Sequence, residues 1–164
     1  MKKSDTLNQR IFTVEEIKQE VTRIRLKSKT IAFTNGVFDI LHEGHIAVLS
    51  EAASFADVLI VGVNSDASVK KLKGEGRPVN NEYSRALIIA SLIMVDAVVI
   101  FNEETPLELI KIIKPDVLIK GGDYTMETMV GSKEVLENGG RIEIIPIKEG
   151  FSTTGIIRRI SGNE

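Results

Sequence analysis

A chain of 164 residues and 18.1 kDa has the size of one domain, and 43% hydrophobic with 27% charged residues excludes disorder over most of its length. A formal net charge of −2 argues against a dedicated nucleic-acid or anionic-membrane binder, and 5% aromatics without Trp argue against base stacking. The absence of cysteine excludes disulfides, thiolate nucleophiles and Cys-based zinc sites.

Residues 1–10 read as an N-terminal tail and residues 11–164 as a single domain. The charged start, Met1 to Asp5, leads into no apolar stretch, so no secretory signal is visible. Thr13 followed by Glu16 is a capping box, Phe12 and Ile17 form a hydrophobic staple, and Ile17, Val21 and Ile24 place one apolar stripe on a first helix. Thr30 to Thr34 reads as a buried strand that runs into an Asn35-Gly36 turn. A helix from about Glu43 to Phe55 and a strand from Val58 to Val63 follow.

Asn64 to Asn81 is polar, rich in Lys and Gly, and shows no period, as expected of a functional loop. A helix from about Glu82 to Met94 leads to the strand Ala97 to Phe101. The longest mainly apolar run, Ala86 to Val95, is cut by Asp96, well short of the roughly 20 residues a membrane span needs. No membrane partner is expected, and the chain reads as cytoplasmic.

Thr105 and Glu108 spell a second capping box with Pro106 at the first helical position, and Pro115 ends that helix after Ile113. Asp116 to Lys120 is a fourth strand with Gly121-Gly122-Asp123 as its loop. A helix near Lys133 to Glu137, the strand Arg141 to Ile145 and a helix Thr153 to Ile160 complete the chain.

Five strands of nearly continuous Val, Ile and Leu alternate with helices. That pattern predicts a doubly wound five-stranded parallel sheet with helices on both faces, plus the N-terminal helix. Ligands of such α/β folds bind beyond the carboxyl ends of the strands, where Asn35-Gly36, Asn64-Ser65-Asp66 and Gly121-Gly122-Asp123 fall.

The chain has two histidines, and they sit three residues apart in Gly36-Val37-Phe38-Asp39-Ile40-Leu41-His42-Glu43-Gly44-His45. The segment joins the first of these strands to its helix, where backbone amides and the helix dipole favour an anion. Two histidines at this spacing suit a metal, a cap, or hydrogen bonds to phosphate oxygens. No third metal ligand is specified nearby beyond Asp39 or Glu43, so no protein-held metal is expected.

Gly-x-Phe-Asp-x-x-His-x-Gly-His resembles the signature of the cytidylyltransferase-like nucleotidyltransferase superfamily, whose fold is Rossmann-like. Gly150-Phe151-Ser152-Thr153-Thr154 is similar to its second signature. Val63 to Lys70, Leu72-Lys73-Gly74, Arg77 to Asn80, Lys120 to Tyr124 and Gly131 to Val135 resemble one subfamily. That subfamily is the adenylyltransferase half of the bifunctional heptose-phosphate kinase/adenylyltransferases, which make ADP-heptose for bacterial surface glycans such as the lipopolysaccharide core. The likeness runs from about residue 11 to 160 without a kinase half, as a free-standing version would. Two departures stand out. Ile147 to Gly150 lacks the arginine of the glycerol- and choline-phosphate cytidylyltransferases, and Val37 stands where the heptose subfamily often has Cys.

The resemblance implies transfer of AMP from ATP to D-glycero-β-D-manno-heptose 1-phosphate, with release of pyrophosphate. A phosphate monoester is largely ionised at pH 7, so no general base is required. His42 and His45 are then the phosphate donors, Gly44 lets the backbone approach, and Lys73 is either a second catalytic clamp or a solvated charge. Gly36 and Phe38 belong to the nucleotide-binding set, and Asp39 either organises the turn or touches the incoming phosphate. Ser152, Thr153 and Thr154 offer hydroxyls to the triphosphate or simply cap the last helix. Arg85 reaches the nucleotide or only pairs with Glu82. Lys120, Gly121 and Asp123 shape the nucleotide pocket or form a plain turn, and Asp66 and Arg77 are implied on the acceptor. Mg²⁺ is expected with the ATP phosphates, and a homodimer is implied by resemblance. The alternatives are a cytidylyltransferase acting on a polyol or amino-alcohol phosphate, and a non-catalytic nucleotide-binding regulatory module.

Overall fold

The computed structural model describes residues 6–122, 125, 128–146 and 152–162. In chain order the elements are β1 (Ile11–Phe12), α1 (Val14–Leu26), β2 (Ile31–Gly36), α2 (Glu43–Ala53), β3 (Val58–Asn64), α3 (Asp66–Lys73) and α4 (Glu82–Ala90). There follow β4 (Ala97–Phe101), α5 (Leu107–Ile113), β5 (Val117–Gly121), α6 (Ser132–Glu137), β6 (Arg141–Ile145) and α7 (Thr153–Ile160).

The strands form one sheet in the order β1-β4-β3-β2-β5-β6, with every pairing parallel. Side chains alternate across it. Val58 and Ile60 of β3 pack with Ile17, Val21 and Ile24 of α1, Leu109, Ile110 and Ile113 of α5, and Val135 of α6. Leu59, Val61 and Val63 pack on the other face with Leu49 and Ala52 of α2 and Ala86, Ile89 and Ala90 of α4. The sheet is thus covered on both faces, which is why its central strands lack polar alternation.

Three differences from the expected elements have physical reasons. The sheet has six strands, not five. Ile11 and Phe12 pair with Val98 and Val99 of β4, and two residues are too few to show a period. Their other expected role also holds, since Thr13 and Glu16 close the capping box and Phe12 packs on the cluster that contains Ile17.

Within the stretch read as aperiodic lies a helix, α3, capped by the Ser65 hydroxyl on the Ser68 amide. Of its apolar side chains Val69 is buried and Leu72 is half exposed, so no stripe forms. The capping box expected at Thr105 is absent. Pro106 occupies the N-cap of α5 without a side-chain hydrogen bond, and Glu108 binds Lys111 at 2.7 Å instead.

Within the expected tail, Asn8–Arg10 form a 3₁₀ turn, and Arg10 donates to the Val95 carbonyl at 3.1 Å. No helix among the described residues is long and apolar enough to cross a membrane.

Succession along the sheet runs β2, β3, β4 in one direction and then returns to the other side of β2 with β5 and β6. The switch point lies between β2 and β5, and a crevice opens outside their carboxyl ends.

Candidate active site

β2 delivers Asn35 and Gly36 to that crevice, and the chain then turns through Val37 to Leu41 before α2 begins. Phe38 takes the left-handed conformation, φ 49°, and folds its ring back over Gly36. A Cβ on Gly36 would stand 3.0 Å from that ring, so the glycine makes room for it. Phe38 meets His45 edge to face at 5.3 Å.

His42 is the N-cap of α2 and makes no side-chain cap, while His45 lies one turn in. Their rings stack with centroids 3.8 Å apart. Burial pulls His42 below the ordinary imidazole range. Burial first, and the charge of His42 second, push His45 down to about 4, so the pair is neutral at pH 7. Nδ1 of His45 is buried without a hydrogen-bond partner among the described residues.

Asp39 is 2% exposed and gathers a distant segment. Its carboxylate accepts from Arg77 Nε at 2.7 Å, from the Val79 amide at 2.8 Å and from the Asn80 amide at 2.9 Å. Burial raises its pKa, but the amides of Asn80 and Val79 and the Arg77 guanidinium outweigh it and hold the carboxyl below its usual value. Of the two readings of Asp39, this geometry is that of the turn organiser.

Arg85 is fully buried. It donates to the Val37 carbonyl at 2.6 Å, to the Asn80 carbonyl at 2.9 Å and to Asp66 Oδ1 at 2.8 Å. The guanidinium therefore sits behind the crevice, where it ties three segments together. Its carboxylate partner is Asp66 rather than Glu82, which instead accepts from the Asp66 amide at 2.7 Å. Neither Arg85 nor Asp66 lines the cleft.

The cleft has a volume of about 440 Å³. Gly36, Phe38, Asp39, His42, Gly44 and His45 form one wall. Lys73, at the end of α3, and Arg77 form a second, Lys120 and Gly121 at the end of β5 a third, and Ser152, Thr153 and Thr154 a fourth. Ser152 caps α7 by accepting from the Gly155 amide at 3.0 Å, and Thr153 Oγ1 donates to the Ile40 carbonyl at 3.4 Å. Two helix N-termini, those of α2 and α7, thus meet two histidines and three cationic side chains in one space, which is the arrangement a polyphosphate needs.

Lys120 Nζ donates to Asn35 Oδ1 at 2.5 Å, and burial lowers its pKa to about 8. Gly121 lets β5 approach α2, because a Cβ there would stand 2.7 Å from Val48 Cγ2. Asn35, Val37 and Val48 also line the cleft and were not among the expected site residues. Asn35 had a signal in its place beside Gly36, whereas Val48 reads only as helix core. Asp123, Tyr124, Ile147 to Gly150 and Phe151 lie outside the described residues. Among the described residues no group of three His, Asp or Glu is placed to hold a metal ion.

Fold and cleft together define a doubly wound α/β protein with a cleft lined by histidines and cationic side chains at its switch point. The model of the cytidylyltransferase-like family matches residues 33–159, and the chain belongs to that family and is a nucleotidyltransferase. It is 50% identical over 153 residues to the bifunctional protein HldE of Rhodospirillum rubrum, across 93% of this chain and 31% of that one. To HldE of Aliarcobacter butzleri it is 53% identical over 157 residues, across 96% of this chain and 32% of that one. The chain therefore spans about a third of the length of these curated relatives.

Among solved structures, a lipopolysaccharide core biosynthesis protein from Thermoplasma volcanium superimposes with a TM-score of 0.59 at 29% identity, covering 73% of this chain and 97% of that one. A pantoate–β-alanine ligase from Francisella tularensis shares the fold, with a TM-score of 0.62 at 16% identity over 92% of this chain and 76% of that one.

Proposed function

We propose that this protein transfers AMP from ATP to D-glycero-β-D-manno-heptose 1-phosphate, forming ADP-heptose and pyrophosphate. The observation that carries this reading is the cleft itself, in which the α2 and α7 N-termini, His42, His45, Lys73 and Arg77 line one space of about 440 Å³. Choice of acceptor rests on the likeness to HldE, whose C-terminal part is an ADP-heptose adenylyltransferase domain.

The acceptor phosphate is already a nucleophile at neutral pH, so the protein's task is alignment and charge stabilisation. One acceptor oxygen forms a bond to the α-phosphorus while the bond from that phosphorus to the bridging oxygen breaks. Pyrophosphate leaves with the electron pair. His42 and His45 donate N–H groups to the α- and β-phosphate oxygens as charge moves outward, and Lys73 closes on the phosphates from the end of α3. Mg²⁺ carried by the ATP phosphates would supply further positive charge there, with no protein ligand set for it among the described residues. Ser152, Thr153 and Thr154 present the α7 N-terminus to the triphosphate.

Pyrophosphate release tests this directly, with ATP or CTP against both anomers of the heptose 1-phosphate, glycerol 3-phosphate and phosphoethanolamine. Release with ATP and the β-anomer alone is expected. Release only with CTP and a polyol phosphate would sink the adenylyl and heptose assignments while sparing the phosphate clamp.

A further inference from the structure

A second cavity, about 170 Å³, opens beside the cleft at the carboxyl ends of β2, β3 and β5. Asn64, Leu72, Glu104, Thr105, Pro106 and Thr128 contribute to its wall. Asn35 and Lys120 line both spaces, so their hydrogen-bonded pair is the partition between them.

The two spaces differ in chemistry. The cleft offers His42, His45, Lys73 and Arg77, and its one carboxylate among the described residues, Asp39, is held by Arg77 and two amides. The second cavity offers the Asn35 and Asn64 amides, two hydroxyls and the Glu104 carboxylate, with Lys120 as its one cation among the described residues. The excess of N–H and cationic donors favours a triphosphate in the first, whereas among the described residues the second sets one carboxylate against one ammonium and offers no such excess. Uncharged hydroxyls find mixed donors and acceptors in the second, and its volume is well below the ~300 Å³ at which drug-sized pockets begin. It suits one small polyol and is too small for a nucleoside.

The geometry points to Lys120 as the group that holds the acceptor's phosphate at the junction, with the acceptor's hydroxylated body in the second cavity and the nucleotide in the cleft. This rests on the reading of the reaction given above, and it moves Lys120 from the nucleotide to the acceptor. A sugar 1-phosphate carries its charge at one end. If its hydroxyls occupy the second cavity, that end emerges beside Lys120 Nζ and faces the histidine wall across the cleft. Asn35 holds the ammonium through two acceptors, Oδ1 at 2.5 Å and the backbone carbonyl at 3.3 Å, which aims it at the partition. The ammonium transfers no proton in the step. Its charge orients the attacking oxyanion, and the bonds made and broken at the α-phosphorus are those already described.

The test compares the whole wild-type chain with Lys120→Met, Lys120→Arg and Thr105→Val. Affinity for a non-hydrolysable ATP analogue is read by calorimetry, and steady-state kinetics are read with the β-heptose phosphate. Losing a charged hydrogen bond to the acceptor is expected to lower kcat/KM for the acceptor at least about tenfold in Lys120→Met. The analogue's Kd should stay within about twofold, since the amine then makes no contact with the nucleotide. Lys120→Arg should recover part of the loss, and Thr105→Val should raise the acceptor KM alone. A Kd for the analogue that weakens as much as the acceptor term, or no change in either, overturns the assignment. Should Lys120→Met fail to fold, Lys120→Arg and Thr105→Val carry the same comparison. If the wild type turns over no heptose phosphate, the reading of the reaction fails separately. Lys120 is then judged by inorganic phosphate binding to the analogue complex, where tenfold weaker binding in the Lys120 variant upholds it and equal binding overturns it.

Discussion

His42 and His45 stand on one face of the first turn of α2 with their rings 3.8 Å apart and 22° from parallel. Two unit charges at about that distance repel by about 1 kcal/mol in water and about 4 kcal/mol near a protein surface. The pair is therefore held neutral, by burial first and by mutual repulsion at His45, which stands down at about 4. An imidazole whose pKa is lower in the folded chain than the ordinary 6.5 binds its proton more tightly when unfolded. Its contribution to stability is complete above about pH 6.5 and is lost as pH falls toward 4. Thermal unfolding should show a Tm that is flat above pH 6.5 and falls below it. In His45→Gln this part of the slope should be smaller.

Bound phosphates reverse that balance, because an anion within hydrogen-bond reach favours the charged imidazole. ATP binding at pH 6 is expected to take up protons, visible as a binding enthalpy that depends on the ionisation enthalpy of the buffer. Replacing both histidines by Gln should abolish the uptake. Single changes to Ala should lower kcat by about 100-fold to 1,000-fold, the usual loss for a donor aimed at developing charge. Binding without any proton uptake would remove the histidines from the phosphates.

Asp39 lies 38 residues from Arg77 in sequence and 2.7 Å from it in space. Replacing its carboxylate with Ala leaves two backbone amides and a mostly buried guanidinium without their acceptor, a loss of about 3 kcal/mol. Urea unfolding of Asp39→Ala should show it. The 77–80 segment should also become the preferred site of limited proteolysis, since Asp39 is what draws it to the cleft wall.

Gly121 and Val48 test the close approach of β5 to α2. A Cβ at 121 would sit 2.7 Å from Val48 Cγ2, and a valine methyl has little freedom to retreat. Gly121→Ala is expected to cost about 1–3 kcal/mol. Val48→Ala in the same chain should recover part of that, a non-additivity that a double-mutant cycle reads directly. Strict additivity would mean the crowding lies elsewhere.

Ala97–Phe101, Arg141–Ile145 and Thr153–Ile160 fall where the sequence places them, because an apolar run, the Asn138-Gly139-Gly140 turn and the Ser152 cap mark their bounds locally. The two-residue β1 and the weakly buried α3 carry no periodic signal, and they are defined by partners far along the chain. The site divides the same way. His42, Gly44, His45 and the Ser-Thr segment are local motifs and line the cleft as expected. The buried Arg85–Asp66 pair, the Asp39 clamp and the Lys120–Asn35 partition join residues 19 to 85 positions apart, and no local pattern encodes such contacts.

Lys120 supplies a final prediction, on the alkaline side. Burial lowers its pKa to about 8, so its charge is present below that pH and lost above it. Values of kcat/KM report groups of the free protein, and the acceptor term should fall as pH rises through 8. Arginine stays charged throughout this range. In Lys120→Arg the alkaline fall should vanish even though the absolute rate is lower, whereas a purely structural role for Lys120 would lower the rate and leave the pH profile in place. Measured from pH 6.5 to 10, the two profiles separate an ammonium acting on substrate from one that only braces Asn35.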